Sequence, residues 1–194
     1  ELYAVIDEPA GVQRPGYIYD RALSYFDQHF ADGADPWCLF ISTPEPHDPY
    51  ICPAEFYELY DPSQIELPPS FDDDLDGKPN VLKRMQEVFA PLSADEFRQA
   101  TACYLGVCSM LDHHVGEALD ALEASGQWDN TVIVYLTDHA DMMGAHRLLT
   151  KGITLMDRRQ VEEVTKRDVL LAVDAAATEK LAALGAKFKA DVIV

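Results

Sequence analysis

Apolar positions recur along this chain with two different periods. Over residues 16–30, Tyr19, Leu23, Phe26 and Phe30 follow at steps of four, three and four, which predicts an amphipathic helix broken by Gly33 and Pro36. Trp37-Cys38-Leu39-Phe40-Ile41-Ser42 is a short apolar run between turn formers and predicts a buried strand. Thr43 to Pro53 is dense in proline, which fixes φ and removes backbone donors, so a stiff loop outside any sheet is expected there. Ser93 and Glu96 make a capping box ahead of Phe97, Ala100, Tyr104, Cys108, Leu111, Val115, Ala118 and Leu122, a long helix closed by Gly126. Thr131-Val132-Ile133-Val134-Tyr135-Leu136-Thr137 is β-branched and apolar, hence a second strand covered on both faces. Strand, helix and strand in this order predict an α/β fold, a sandwich of helices around a mostly parallel sheet. Further on, residues 157–167 are rich in charge. Asp174 is placed to cap an alanine-rich helix ending near Gly185, and Ala190–Val194 has a strand's composition.

Charge narrows the partners. The 194 residues carry 34 acidic and 15 basic side chains, a formal charge of −19. Such an excess repels nucleic-acid phosphates and anionic membrane surfaces, so neither is expected as a partner. An anionic substrate would need positive charge gathered at its site, and a bound divalent cation is one source. The cluster Asp72-Asp73-Asp74-Asp76 lacks the glycine and terminal glutamate of a calcium loop and reads as solvated. Cys38, Cys52, Cys103 and Cys108 follow no zinc spacing, and Cys103 and Cys108 project in different directions from one helix, so free thiols are expected. No apolar run reaches membrane-spanning length. The chain has neither an initiating methionine nor a leader pattern, and is expected to begin inside a longer one.

In α/β sheets the chemistry gathers at the carboxyl ends of strands. The first predicted strand leads into Pro46-His47-Asp48-Pro49-Tyr50. The second leads into Asp138-His139-Ala140-Asp141-Met142-Met143-Gly144-Ala145-His146 and then Lys151. Asp138 and His139 pair a carboxylate with an imidazole, a suitable start for a divalent-cation site; alone they equally describe a capping aspartate beside a surface histidine. Lys151 is either an anion neutraliser or a solvated lysine. His47 is either an anion donor or acid, or an ordinary loop histidine. Asp48 reads as a turn former. His113 and His114 are helix neighbours that face different ways, one packed and one exposed, and are left outside the site.

Taken in order, these segments resemble the sulfatase branch of the alkaline-phosphatase superfamily over residues 16–153. The matching text is Pro36-Trp37-Cys38-Leu39-Phe40-Ile41, Pro46–Tyr50, Tyr104–Asp112 with Val115-Gly116, Asp129–Val134, and above all Thr137–His146 with Lys151-Gly152. The resemblance implies a small-molecule sulfate ester as substrate. It implies that Asp138 and His139 ligate a divalent cation (calcium foremost, magnesium or manganese as alternatives), that Lys151 contacts the sulfate, and that His47 binds the sulfate or assists the leaving group. A phosphodiesterase or phosphonate monoester hydrolase of the same superfamily is a second reading, and a non-catalytic truncated product a third.

Four departures accompany the resemblance. The family's nucleophile lies in Cys/Ser-x-Pro-x-Arg, where the cysteine or serine becomes formylglycine, and no such run occurs in these residues. That segment and the paired aspartates of the family's first strand are expected upstream of Glu1. Ala140 stands where the family has glycine, a cost of about 1 kcal/mol if that position needs a positive φ. Residues 1–156 therefore read as part of a sulfatase-type catalytic domain and residues 157–194 as a tail outside the resemblance.

Overall fold

The computed structural model describes residues 2–151, so the helix and strand expected in the 157–194 tail lie outside the described residues. The chain divides into two units, residues 1–129 with 141–151, and residues 130–140 with 152–194.

The first unit runs β1 (Tyr3–Ile6), α1 (Arg14–His29), β2 (Tyr50–Pro53), α2 (Ala54–Tyr57), α3 (Asn80–Phe89) and α4 (Ala94–Ala124). β1 and β2 pair in parallel, Tyr3 opposite Tyr50 and Val5 opposite Cys52. Parallel neighbours need a crossover, and α1 lies within that connection. The α/β class is therefore present as helices with a small parallel sheet. Pro15 sits in the first turn of α1, where its missing N–H leaves no bond unmade. Tyr19 and Phe26 are buried, as the spacing predicted.

α4 begins at the predicted capping box: Ser93 Oγ accepts from the Glu96 N–H, and the Glu96 carboxylate accepts from the Ser93 N–H at 2.8 Å. Its buried stripe is Phe97, Ala100, Cys103, Val107, Met110 and His114. Phe97, Ala100, Leu111 and Leu122 are buried as predicted, but the stripe is rotated through the middle of the helix, because Tyr104, Cys108, Val115 and Ala118 are only half-buried. Gly106 explains the rotation. It meets Cys52 Sγ and lies where an added Cβ would stand 3.1 Å from the Phe56 carbonyl, so the helix is drawn against β2 and α2 along that line. All four cysteines are free, and burial pushes the Cys52 thiol up to about 12 and the Cys103 thiol up to about 11.

The sheet is not where the apolar runs pointed. Residues 37–42 form no strand, and Phe40 is 84% exposed. Trp37 is held instead by rings and a side chain: it stacks on Phe30 with centroids 5.6 Å apart and donates to Gln127 Oε1 at 2.9 Å. In the second unit residues 131–137 also form no strand, and Val134, Tyr135 and Leu136 are exposed. An apolar β-branched run favours a covered, pleated position, but a strand exists only when a neighbour completes its ladder. Among the described residues the ladder is that of β1 and β2. β2 itself lies inside the stretch expected to stay outside any sheet. Between Pro49 and Pro53 the chain regains donors at Tyr50, Ile51 and Cys52, and the Tyr50 N–H donates to the Leu2 carbonyl at 2.8 Å. Pro53 closes the strand at its end, where no further donor is required.

Candidate functional site

Tyr50 organises the first unit's site. Its ring is fully buried and packs edge-on against Tyr104. Its hydroxyl donates to Asp141 Oδ2 at 2.7 Å and accepts from the Thr150 N–H at 3.0 Å. Burial first, then the bond to Asp141, pushes the phenol well above its ordinary range, so it remains a donor. One hydroxyl thus holds both ends of the 141–150 segment. Within that segment the Met142 N–H donates to the Thr150 carbonyl at 3.0 Å and the Gly144 N–H to the Leu148 carbonyl at 2.8 Å, so the chain doubles back. The reversal uses a left-handed Gly144 with φ of 91°, whose α-carbon faces Pro68, Phe71 and Phe97. Leu148 and Leu149 are buried and anchor the returning arm.

The returning arm delivers Lys151 to Asp48, Nζ to Oδ1 at 3.0 Å. The same carboxylate oxygen lies 3.3 Å from His47 Nδ1. His47 Nδ1 is also 2.6 Å from the Asp48 carbonyl, an acceptor only, which makes Nδ1 the protonated nitrogen. Two predicted site residues, His47 and Lys151, are therefore brought together, and the residue that joins them is Asp48. The turn-former reading of Asp48 is too small: its carboxylate makes a long-range ion pair. His47 and Asp48 also precede a strand, β2, rather than following one. Beside them lies a cavity of about 400 Å³, bordered by Arg14, Glu45, His47, Asp48 and Ile51. Arg14 Nε is 3.2 Å from Glu45 Oε1. A cation, an imidazole and a second cation thus border or adjoin one opening, each steadied by a carboxylate.

In the second unit Asp138 and His139 are mutual partners. The His139 N–H donates to Asp138 Oδ1 at 2.8 Å, and His139 Nε2 is 3.5 Å from Asp138 Oδ2. Thr137 Oγ1 donates to the His139 carbonyl at 3.1 Å and steadies the turn. Donors 3.5 Å apart suit two bonds of about 2.0–2.4 Å to one divalent cation. Both side chains are more than half exposed, so an ion could enter between them. The pair fits as two members of a donor set; among the described residues no third histidine, cysteine or carboxylate joins it. Ala140 is not among the residues with positive φ, so the strain anticipated for alanine there does not arise.

Comparison with known proteins gives the chain's family. The sulfatase family model matches residues 3–163. The chain belongs to the sulfatase family. An uncharacterised sulfatase of Escherichia coli (strain K12), YidJ, is 31% identical over 140 residues, 72% of this chain and 28% of that protein. Choline-sulfatase of Rhizobium meliloti (strain 1021) is 31% identical over 121 residues, 60% of this chain and 23% of that one. Among solved structures, the phosphonate monoester hydrolase SpPMH from Silicibacter pomeroyi is similar with a TM-score of 0.61 and 25% identity, covering 73% of this chain and 30% of that one. This sulfatase-family chain therefore spans less than a third of the length of each of these proteins.

Proposed function

We propose that this chain supplies the anion-binding residues, and part of the metal-binding residues, of a sulfatase that hydrolyses small-molecule sulfate esters. The observation that carries this reading is the Asp48 carboxylate, which bonds Lys151 and approaches His47, while His47 and Asp48 themselves border one cavity. Lys151 meets the sulfate oxygens as a compact cation, and its bond to Asp48 limits where the ammonium can stand. His47, with Nδ1 turned to the Asp48 carbonyl, leaves Nε2 for the substrate. Protonated, Nε2 donates to a sulfate oxygen or to the departing alcohol oxygen. Asp138 and His139 would hold a divalent cation, calcium foremost, which when bound offsets the negative charge that grows on the transferred group.

A second reading, hydrolysis of phosphonate or phosphate esters, is favoured by the likeness to the Silicibacter hydrolase. Both are tested by one comparison, in a protein carrying this chain together with a Cys/Ser-x-Pro-x-Arg segment. An aryl sulfate should be hydrolysed faster than the matching aryl phosphonate, and Lys151→Ala should lower kcat/KM for it by about 100-fold or more, as loss of a charge-stabilising donor does. Preference for the phosphonate would establish the second reading. Unchanged kcat/KM in both Lys151→Ala and His47→Ala would sink the site assignment. The 194 residues alone, which contain no such segment, are expected to show no turnover.

A further inference from the structure

Helix α4 carries a cluster of metal-ligating side chains that the sulfatase reading does not use. His113 and His114 are adjacent and project about 100° apart, so neither can complete a site with the other alone. Glu117 changes this, because it lies four residues on from His113 and three on from His114, one turn from both. Its two oxygens are divided between the two rings: Oε2 is 2.7 Å from His114 Nδ1, and Oε1 is 3.7 Å from His113 Nε2. One ligating atom from each residue lies within 4.8 Å of the other two.

We propose that His113, His114 and Glu117 form a second cation site selective for a borderline transition-metal ion of the zinc class. Two imidazole nitrogens and one carboxylate are a set that zinc accepts and that calcium, which takes six to eight oxygens, does not favour. The three parts are unequally free. His114 is 3% exposed and its ring is stacked on Tyr19 with centroids 5.5 Å apart, so it is a fixed ligand. Its Nε2 is buried without a partner among the described residues, which leaves the Nδ1 edge, facing Glu117, as the ring's polar contact. His113 and Glu117 are about half exposed, and their side chains can close on an ion arriving from solvent while water takes the remaining position. The formal charge of −19 raises the local concentration of any divalent cation.

The site stands apart in sequence from Asp138 and His139, so the two can be separated by mutation. Zinc is titrated into the full chain against a chromophoric chelator, with His113→Ala, Glu117→Gln and the double variant Asp138→Asn/His139→Ala in parallel. Both helix substitutions fall on exposed positions and leave the buried His114 in place. The expected result is one zinc equivalent that is weakened by at least about ten-fold in His113→Ala and in Glu117→Gln, is retained in Asp138→Asn/His139→Ala, and resists a 100-fold excess of calcium; outer-shell changes alone already cost 10–100-fold. Zinc affinity and stoichiometry unchanged in both helix variants, loss of that equivalent only in the Asp138→Asn/His139→Ala variant, or its displacement by calcium would each overturn the proposal.

Discussion

Lys151 Nζ lies 3.0 Å from Asp48 Oδ1, although 103 residues separate the two in the chain. Both side chains are roughly three-quarters buried, at 22% and 28% exposure, so water screens this pair less than an ordinary surface bridge. A double-mutant cycle with Lys151→Met and Asp48→Asn, read by urea denaturation, should return a coupling of about 1 kcal/mol. A coupling indistinguishable from zero would mean that Asp48 does not position Lys151 in solution.

Tyr50→Phe should destabilise the chain by about 1–3 kcal/mol, because it leaves the half-buried Thr150 N–H and Asp141 without their shared partner. Hydrogen exchange gives the sharper check. Protection at Met142 and Gly144 should fall more than protection in the middle of α4, since the lost hydroxyl holds the ends of the doubled-back segment. Uniform loss across both regions would show that Tyr50 supports the core generally and not that segment.

Gly106→Ala should cost about 1–3 kcal/mol in the same denaturation assay. The new methyl would press on Cys52 Sγ and on the Phe56 carbonyl, which is backbone and cannot rotate aside. Gly116→Ala is the control on the same helix. Nothing lies within 4 Å of a Cβ there, and alanine is the better helix former, so stability should hold or rise. Equal effects at the two glycines would contradict the close approach.

Acid should act through carboxylates that the fold has stabilised as anions. The Glu96 carboxyl is held below its ordinary value of 4.5 by the Ser93 N–H and then the Ser93 hydroxyl. The Asp73 carboxyl is held below 3.8 by the Leu75 N–H and then by His146, whose Nδ1 is 2.7 Å away. Because the folded pKa is the lower one, the stabilisation is complete above the unfolded value and is lost as pH falls through the folded value. The thermal midpoint of Glu96→Gln should therefore lie below that of the unmutated chain at pH 7, and the gap should narrow as pH drops beneath 4.5. A gap independent of pH would mean that the ionised cap contributes nothing.

Helices and caps were the legible part of the fold. α1, the Ser93–Glu96 box and the stop at Gly126 all follow from bonds or spacings within a few residues. The rotation of the buried stripe on α4 was hidden, because it depends on Cys52 and Phe56 meeting Gly106 from a distant segment. The packed and exposed members of the His113–His114 pair were anticipated, but not the role of Glu117 between them. Within the candidate site, His47 and Lys151 were legible as residue types of the right chemistry. Asp48, Tyr50 and Asp141 were not, since an aspartate beside a proline and a buried tyrosine have many commoner explanations.

The amino-acid sequence by itself determined α1 and α4, the capping box, the absence of a Cys/Ser-x-Pro-x-Arg run and the order of segments that marks a sulfatase relative, whereas the short helices α2 and α3 were not anticipated. Those properties are local, or are simply the text itself. Only the tertiary structure decided that Tyr3–Ile6 and Tyr50–Pro53 are the paired strands, while the more apolar runs at 37–42 and 131–137 are not. A strand is a relation between two segments, and hydrophobicity records only that a segment favours cover. Only the structure, likewise, placed one carboxylate between His47 and Lys151, because an ion pair across 103 residues requires the chain to double back, and Tyr50 is what holds that reversal closed.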